Sequence, residues 1–135
     1  MLRIPRKIDY TIRVLMELEK GAKKAPLSLK IIAERNNIPE KYLKQIMPYL
    51  EARKIVKSVK GPGGGYMLSR SLKDISLYDI FDALQGEVEI VPCIRDDKFC
   101  FIADKCLTKS IWVDLNKKIN NFLKKKKIHK ILEEG

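Results

Sequence analysis

Three features of the 135-residue sequence predict a mostly α fold with one small β-hairpin and a long C-terminal helix. Apolar residues recur at helical spacing in several separate segments. One glycine-rich stretch, Lys60-Gly61-Pro62-Gly63-Gly64-Gly65-Tyr66, lies between two short runs suited to strands. A last apolar stripe, Leu107, Ile111, Leu115, Ile119 and Phe122, steps by fours and threes along one helix face.

In chain order, residues 6–20 place Ile8, Ile12, Leu15 and Leu18 at helical spacing, and Gly21 is a natural stop. Ser28 suits the N-cap of a short second helix, Leu29 to about Arg35. Asn36 and Asn37 tolerate a tight turn. Pro39 and Glu40 fit the first turn of a third helix, since proline there loses no hydrogen bond and an acid meets the positive end of the dipole. That helix runs to about Arg53 with Leu43, Ile46, Met47 and Leu50 as its buried stripe, and Pro48 is a candidate kink. Two helices joined by so few residues form a helix-turn-helix pattern, in itself a weak signal. Ile55–Lys60 and Tyr66–Ser69 read as strands of a hairpin. Ser76 opens a further helix, with Asp79 completing a capping box, Leu77, Ile80, Phe81 and Leu84 on its apolar face and Gly86 at its end. Residues 87–103 read as irregular. The long helix is expected from about Asp104, and Lys124–Lys127 as a solvated face near the tail.

The hairpin turn holds four of the chain's seven glycines. A P-loop would continue Gly-Lys-Ser/Thr and open a helix, and a dinucleotide fingerprint has other spacing and also leads into a helix. The stretch does neither. Glycine allows positive φ and removes side chains, so such a turn approaches another surface closely. With Lys60 and Arg70 flanking it, the turn suits contact with a DNA groove or phosphates. A flexible turn without a ligand fits the same residues.

Lysine plus arginine number 28 against 17 acids, a formal net charge of +11. A field of that size draws polyanions, nucleic acid foremost. No apolar run reaches the roughly 18 residues that span a bilayer. The N-terminal MLRIPRKIDY lacks the apolar core of a signal peptide, so a cytoplasmic location is expected. Three cysteines cannot all pair within one chain, in keeping with a reducing compartment. No paired carboxylate, Ser-His or Cys-His arrangement is evident, and the one histidine, His129, lies in the tail; an enzyme is not expected.

Taken in order, these elements resemble the Rrf-two family of bacterial winged-helix transcription regulators. The anchors are IDYTIRVLMEL, the run from LSLKIIAERNNIPEKYLKQIMPYL to SVKGPGGGYMLSR, and ISLYDIFDAL. SVKGPGGGY is the sharpest of them, SVRGPGGGY being the usual form, and DKCLTKSIWVDLNKKINNFL is most similar to the family's iron–sulfur assembly regulators. The resemblance implies a winged helix-turn-helix DNA-binding domain over 1–86, a cysteine-bearing sensor loop over 87–106, and a dimerisation helix with a basic tail over 104–135. It implies a homodimer on double-stranded DNA, each protomer reading half of a partly palindromic operator, with half-sites a helical turn apart.

Carried onto this chain, the family's base-reading positions are Lys41, Tyr42, Lys44 and Gln45. Its wing contacts fall on Lys60, Pro62 and Gly63, and a phosphate contact on Ser28. Gln45 suits the edge of an adenine, and the lysines suit guanine or phosphate. Lys60 replaces the usual arginine and loses its flat fork. Lys41 and Lys44 replace a common serine and a common glutamate, so the preferred site should differ from that of the assembly regulators.

Cys93, Cys100 and Cys106 are spaced C-x6-C-x5-C, without the C-x2-C pairs of common zinc sites. Thiolates are soft ligands suited to iron–sulfur clusters, and Arg95, Lys98 and Lys105 nearby favour the thiolate form. Three cysteines at this place match the cluster-binding branch of the family, with the first gap one residue longer. The resemblance implies a 2Fe–2S cluster ahead of a 4Fe–4S one. A histidine three residues after the last cysteine is the assembly regulators' fourth ligand; here Lys109 stands there. Some nitric-oxide sensors use an aspartate of the other subunit's first helix, and Asp9 falls at that position. The expected ligands are therefore Cys93, Cys100, Cys106 and the partner's Asp9, in a sensor of redox state, nitric oxide or cluster status. The other class compatible with the residues is a cluster-free winged-helix module, binding DNA or protein, whose cysteines switch by oxidation or only pack.

Overall fold

The computed structural model describes residues 3–21, 25–90 and 107–134. Among them run α1 (Arg6–Gly21), α2 (Leu29–Asn36), α3 (Glu40–Ala52), β1 (Val56–Val59), β2 (Gly65–Leu68), α4 (Leu77–Gln85), α5 (Lys109–Lys125) and α6 (Ile128–Glu134), with a 3-10 turn at Leu72–Asp74. The helix-turn-helix and hairpin stand where local signals place them. Ser28 Oγ accepts from the Ile31 N–H at 3.2 Å and so caps α2. Asn37 turns the chain in the left-handed region at φ 53°, which asparagine tolerates better than most residues. Pro39 sits just before α3, whose buried residues are Leu43, Ile46, Met47 and Leu50. The helix continues through Pro48, which lies on its exposed side. At α4, Ser76 and Asp79 form the reciprocal capping box, and Gly86 ends the helix at φ 88°.

One core joins the elements. Val14 and Leu15 of α1, Ile32 of α2, and Leu43, Met47 and Leu50 of α3 meet Ile55, Leu72, Ile75 and Ile80. Leu123 of α5 and Ile128 of α6 belong to the same cluster. The inward face of α1 is shifted from the expected stripe: Val14 is fully buried while Ile12 is only partly so. Thr11 fits this interior because its hydroxyl donates to the Lys7 carbonyl at 2.7 Å. An Arg53–Asp82 ion pair ties the end of α3 to α4.

β1 and β2 pair antiparallel, Val56 opposite Leu68 and Val59 opposite Gly65. The hairpin has a third short partner. Leu27 and Tyr66 exchange both backbone hydrogen bonds, at 3.0 and 2.8 Å. A Cβ on Gly65 would lie 2.1 Å from the Leu27 carbonyl oxygen, so only glycine lets the two backbones meet. Gly65 also sits at φ 151°, a conformation that side chains disfavour.

The C-terminal part departs from expectation in two ways. Among the described residues, α5 starts at Lys109 and leaves Leu107 and Thr108 outside it; the expected start near Asp104 falls outside the described residues. Thr108 opens the helix, its carbonyl accepting from Ile111 at 3.0 Å, and a β-branched residue suits that boundary better than a helix interior. Lys124 and Lys125 are solvated as expected, but Lys126 and Lys127 are half-buried where the chain doubles back. Leu77 N–H donates to the Lys126 carbonyl and Ile128 N–H to the Ile75 carbonyl, both at 2.9 Å. The chain then forms α6, whose Ile128, Ile131 and Leu132 pack on the core at helical spacing.

Gly65→Ala should lower stability by about 2 kcal/mol or more, through backbone clash and strain at positive φ. Chemical denaturation measures this, and an unchanged midpoint would contradict the close approach.

Candidate nucleic-acid interface

The buried stripe of α3 leaves its other side in solvent, and Lys41, Tyr42, Lys44 and Gln45 are all exposed there. Their sequence order makes this unavoidable, since Lys41 and Tyr42 precede Leu43, and Lys44 and Gln45 fall between it and Ile46. Tyr42 packs its ring against Tyr10 of α1, centroids 6.3 Å apart, and Lys41 Nζ lies 5.4 Å from the Tyr42 centroid. Lys44 Nζ is 3.8 Å from a carboxylate oxygen of Glu40. An exposed pair of this kind is worth at most about 1 kcal/mol, so Lys44 is readily released to a stronger anion.

The hairpin tip projects Lys60, Pro62 and Gly63 into solvent. Gly63 is at φ 75°, and Gly64 N–H donates back to the Gly61 carbonyl at 3.0 Å, closing the turn. Ser28 comes directly after Leu27, the residue bridged to Tyr66, so the cap of α2 and the hairpin move as one unit. Tyr66 extends the tie to α3. Burial first, and the Glu51 carboxylate after it, push its phenol above the ordinary value and keep it a hydrogen-bond donor to Glu51. The structure thus brings the α3 set to one surface and fixes the wing and Ser28 relative to the start of α2. A groove of about 790 Å³ runs beside α3, lined by Arg6, Lys7 and Tyr10 on α1, Gln45 and Tyr49 on α3, and Leu84 on α4.

Cys93, Cys100 and Cys106 lie outside the described residues. Asp9 is exposed on α1, and its carboxylate accepts from Arg13 Nε at 2.9 Å. Lys109 begins α5. His129 lies on α6, beyond the far end of α5 from Leu107, and its Nδ1 is buried with no partner among the described residues. The entry to the cysteine-bearing segment is held by two amides that sequence reasoning passed over. Asn116 Oδ1 accepts from the Ile90 N–H at 3.0 Å. Asn120 Nδ2 donates to the carbonyls of Val88, at 3.1 Å, and Asn116, at 3.0 Å. The available signal was a pair of asparagines one turn apart inside an otherwise apolar and charged helix.

The other side of α5 is apolar and open. Leu107 is 92% exposed, Ile111 57% and Phe122 61%. No helix among the described residues is long and apolar enough to cross a membrane.

Residues 4–134 match the family model described as Rrf2, Iron-dependent Transcriptional regulator. The ORF2 protein of Azotobacter vinelandii, named as an HTH-type transcriptional regulator, is 37% identical over 122 residues, 90% of this chain and 74% of that protein. The structure of CymR, the global cysteine regulator of B. subtilis, is similar with a TM-score of 0.79 at 29% identity, over 100% of this chain and 99% of that one. T. potens IscR has a TM-score of 0.77 at 31% identity, over 98% of this chain and 88% of that one.

Proposed function

The chain belongs to the Rrf2 family of DNA-binding transcription regulators, which are not enzymes, and from that premise we propose a homodimer that reads a partly palindromic operator and responds through an iron–sulfur cluster. The observation that carries the DNA-reading part is the single exposed face of α3. It presents Lys41, Tyr42, Lys44 and Gln45 beside a wing that offers Lys60, Pro62 and Gly63. Gln45 reads an adenine edge with its amide, and the lysines take guanine or phosphate. The Ser28 hydroxyl accepts from Ile31 and still has its own proton to donate to a phosphate. With no metal or catalytic constellation required for such binding, specificity resides in this face and affinity in the chain's +11 charge.

Dimerisation is supported by the open apolar side of α5. Ile111, Leu115 and Phe122 lie on it at spacings of four and seven, with Leu107 exposed just before the helix, the pattern of a helix that packs on another. Covering it with a second copy would join two winged helices in one particle, as a two-half-site operator requires. A cytoplasmic location is consistent with that task.

For the sensor we assign Cys93, Cys100, Cys106 and the partner's Asp9 as ligands, with a 2Fe–2S cluster ahead of a 4Fe–4S one. Three thiolates and one carboxylate make a donor set that iron accepts, the oxygen being the weakest and most easily displaced ligand. Asp9 is exposed on its helix and would exchange Arg13 for iron. Lys109 is unsuited to the fourth place, and His129 is committed to α6. When bound, the cluster supplies an electron-accepting, gas-reactive centre. The chain's own part is to connect it to DNA: Asn116 and Asn120 hold residues 88–90 to α5, so a change in the adjoining cysteine-bearing segment bears on the dimer helix. A cluster-free thiol switch is the second reading, favoured by the likeness to a cysteine regulator.

Protein purified without oxygen should absorb visible light and carry about two irons per chain, and Cys100→Ala should be colourless. Absence of colour after reconstitution would leave a winged-helix DNA binder whose cysteines switch by oxidation or only pack. Ile111→Glu should convert dimers to monomers in sedimentation velocity, since a charge in the centre of an apolar interface is left unpaired. Gln45→Ala should cost about 1–3 kcal/mol of discrimination at one base position, measured by binding to duplexes varied there, with little change on non-specific DNA.

A further inference from the structure

We propose that Arg6 and Lys7, in the first turn of α1, form a second phosphate-binding wall beside the recognition helix, so that each protomer grips the DNA backbone outside the bases it reads. This inference rests on the assignment of α3 as the reading helix. Arg6 and Lys7 line the groove of about 790 Å³ whose other wall includes Tyr42, Lys44 and Gln45. The groove is therefore continuous with the reading face.

Its charge is one-sided. Arg6, Lys7 and Lys44 contribute to the lining, and no carboxylate does. Of the nearby acids, Asp9 pairs with Arg13 away from the groove, and Glu40 offsets only Lys44, through an exposed and weak pair. Among the described residues Arg6 and Lys7 form no ion pair. Lys7 Nζ instead points at the Leu84 carbonyl, 3.4 Å away, near the C-terminal end of α4. That contact aims the ammonium without neutralising it. Arg6 is exposed, with its guanidinium fork open to two phosphate oxygens. Beside a reading helix, cations of this kind meet a phosphate every few ångströms along a duplex. Tyr10 and Tyr49 add hydroxyls at the same edge, the residue types that accompany backbone contacts.

The test is the salt dependence of binding by the full chain to a fluorescent mixed-sequence duplex of about three helical turns. Each phosphate contact contributes about 0.9 to the slope of log K against log salt, so Arg6→Gln with Lys7→Gln should lower its magnitude by roughly two. Lys117→Gln with Lys125→Gln removes the same charge from exposed positions on α5 and should leave the slope near wild type. Preference between a selected operator and its mismatched versions should be unchanged in the Arg6/Lys7 variant, and its thermal melt should match wild type. An unchanged slope, or an equal fall in the α5 control, overturns the proposal and leaves the groove to a small anionic ligand. A wild-type chain that binds no duplex overturns the reading of α3 itself. Loss of sequence preference in Gln45→Ala alongside an unchanged slope in Arg6/Lys7 would keep that reading and reject this wall.

Discussion

The geometry of the reading surface depends on one backbone contact, the approach of residue 65 to residue 27. The reciprocal pair between Leu27 and Tyr66 makes the hairpin part of the same frame as α2. Each such hydrogen bond contributes only about 1 kcal/mol net. Its structural effect is larger, because it converts a two-stranded hairpin, marginal in isolation, into an anchored element. Tyr66 then reaches Glu51 near the end of α3. Wing, helix cap and recognition helix are thus fixed to one another through a residue with no side chain. The glycine-rich stretch that invited nucleotide-binding readings serves an architectural purpose at Gly65 and a turn-forming one at Gly63.

Around this frame, charge is distributed so that the fold does not consume it. Exposed pairs such as Lys44 with Glu40 and Arg13 with Asp9 are weak and exchangeable. The buried interactions are apolar or between neutral groups, as with Thr11 and Asn120. Stability rests on the core, so exposed cations such as Arg6 and Lys60 remain available to an external polyanion. In the proposed reading of α3, Lys41 and Lys44 add to the charge available to DNA.

α5 divides its two sides between different tasks. Inward, Asn116, Asn120 and Leu123 tie it to residues 88–90 and to the core. Outward, Ile111 and Phe122, with Leu107 just before the helix, are left for another surface. Burying Asn120 is tolerable because its amide donates twice, although its oxygen has no partner among the described residues. A helix fastened by polar groups on one side and open on the other suits the transmission proposed between the cysteine-bearing segment and a partner subunit.

Much of this was legible in the amino-acid order alone. The cap at Ser28, the box at Ser76 and Asp79, the stripe of α3, the hairpin and the exposure of the four α3 residues all come from interactions within a few positions of one another. Such codes are local, and the chain carries them wherever it goes. The tertiary structure decided the set of long-range pairings. Arg53 meets Asp82, Ile90 meets Asn116 and Val88 meets Asn120 across 29, 26 and 32 residues. The bridge at Leu27, the return of the chain at Lys127 and the docking of α6 are of the same kind. Each joins backbone groups or common polar side chains that carry no distinguishing pattern in sequence, so only the packed core, by bringing distant segments to one place, could select them.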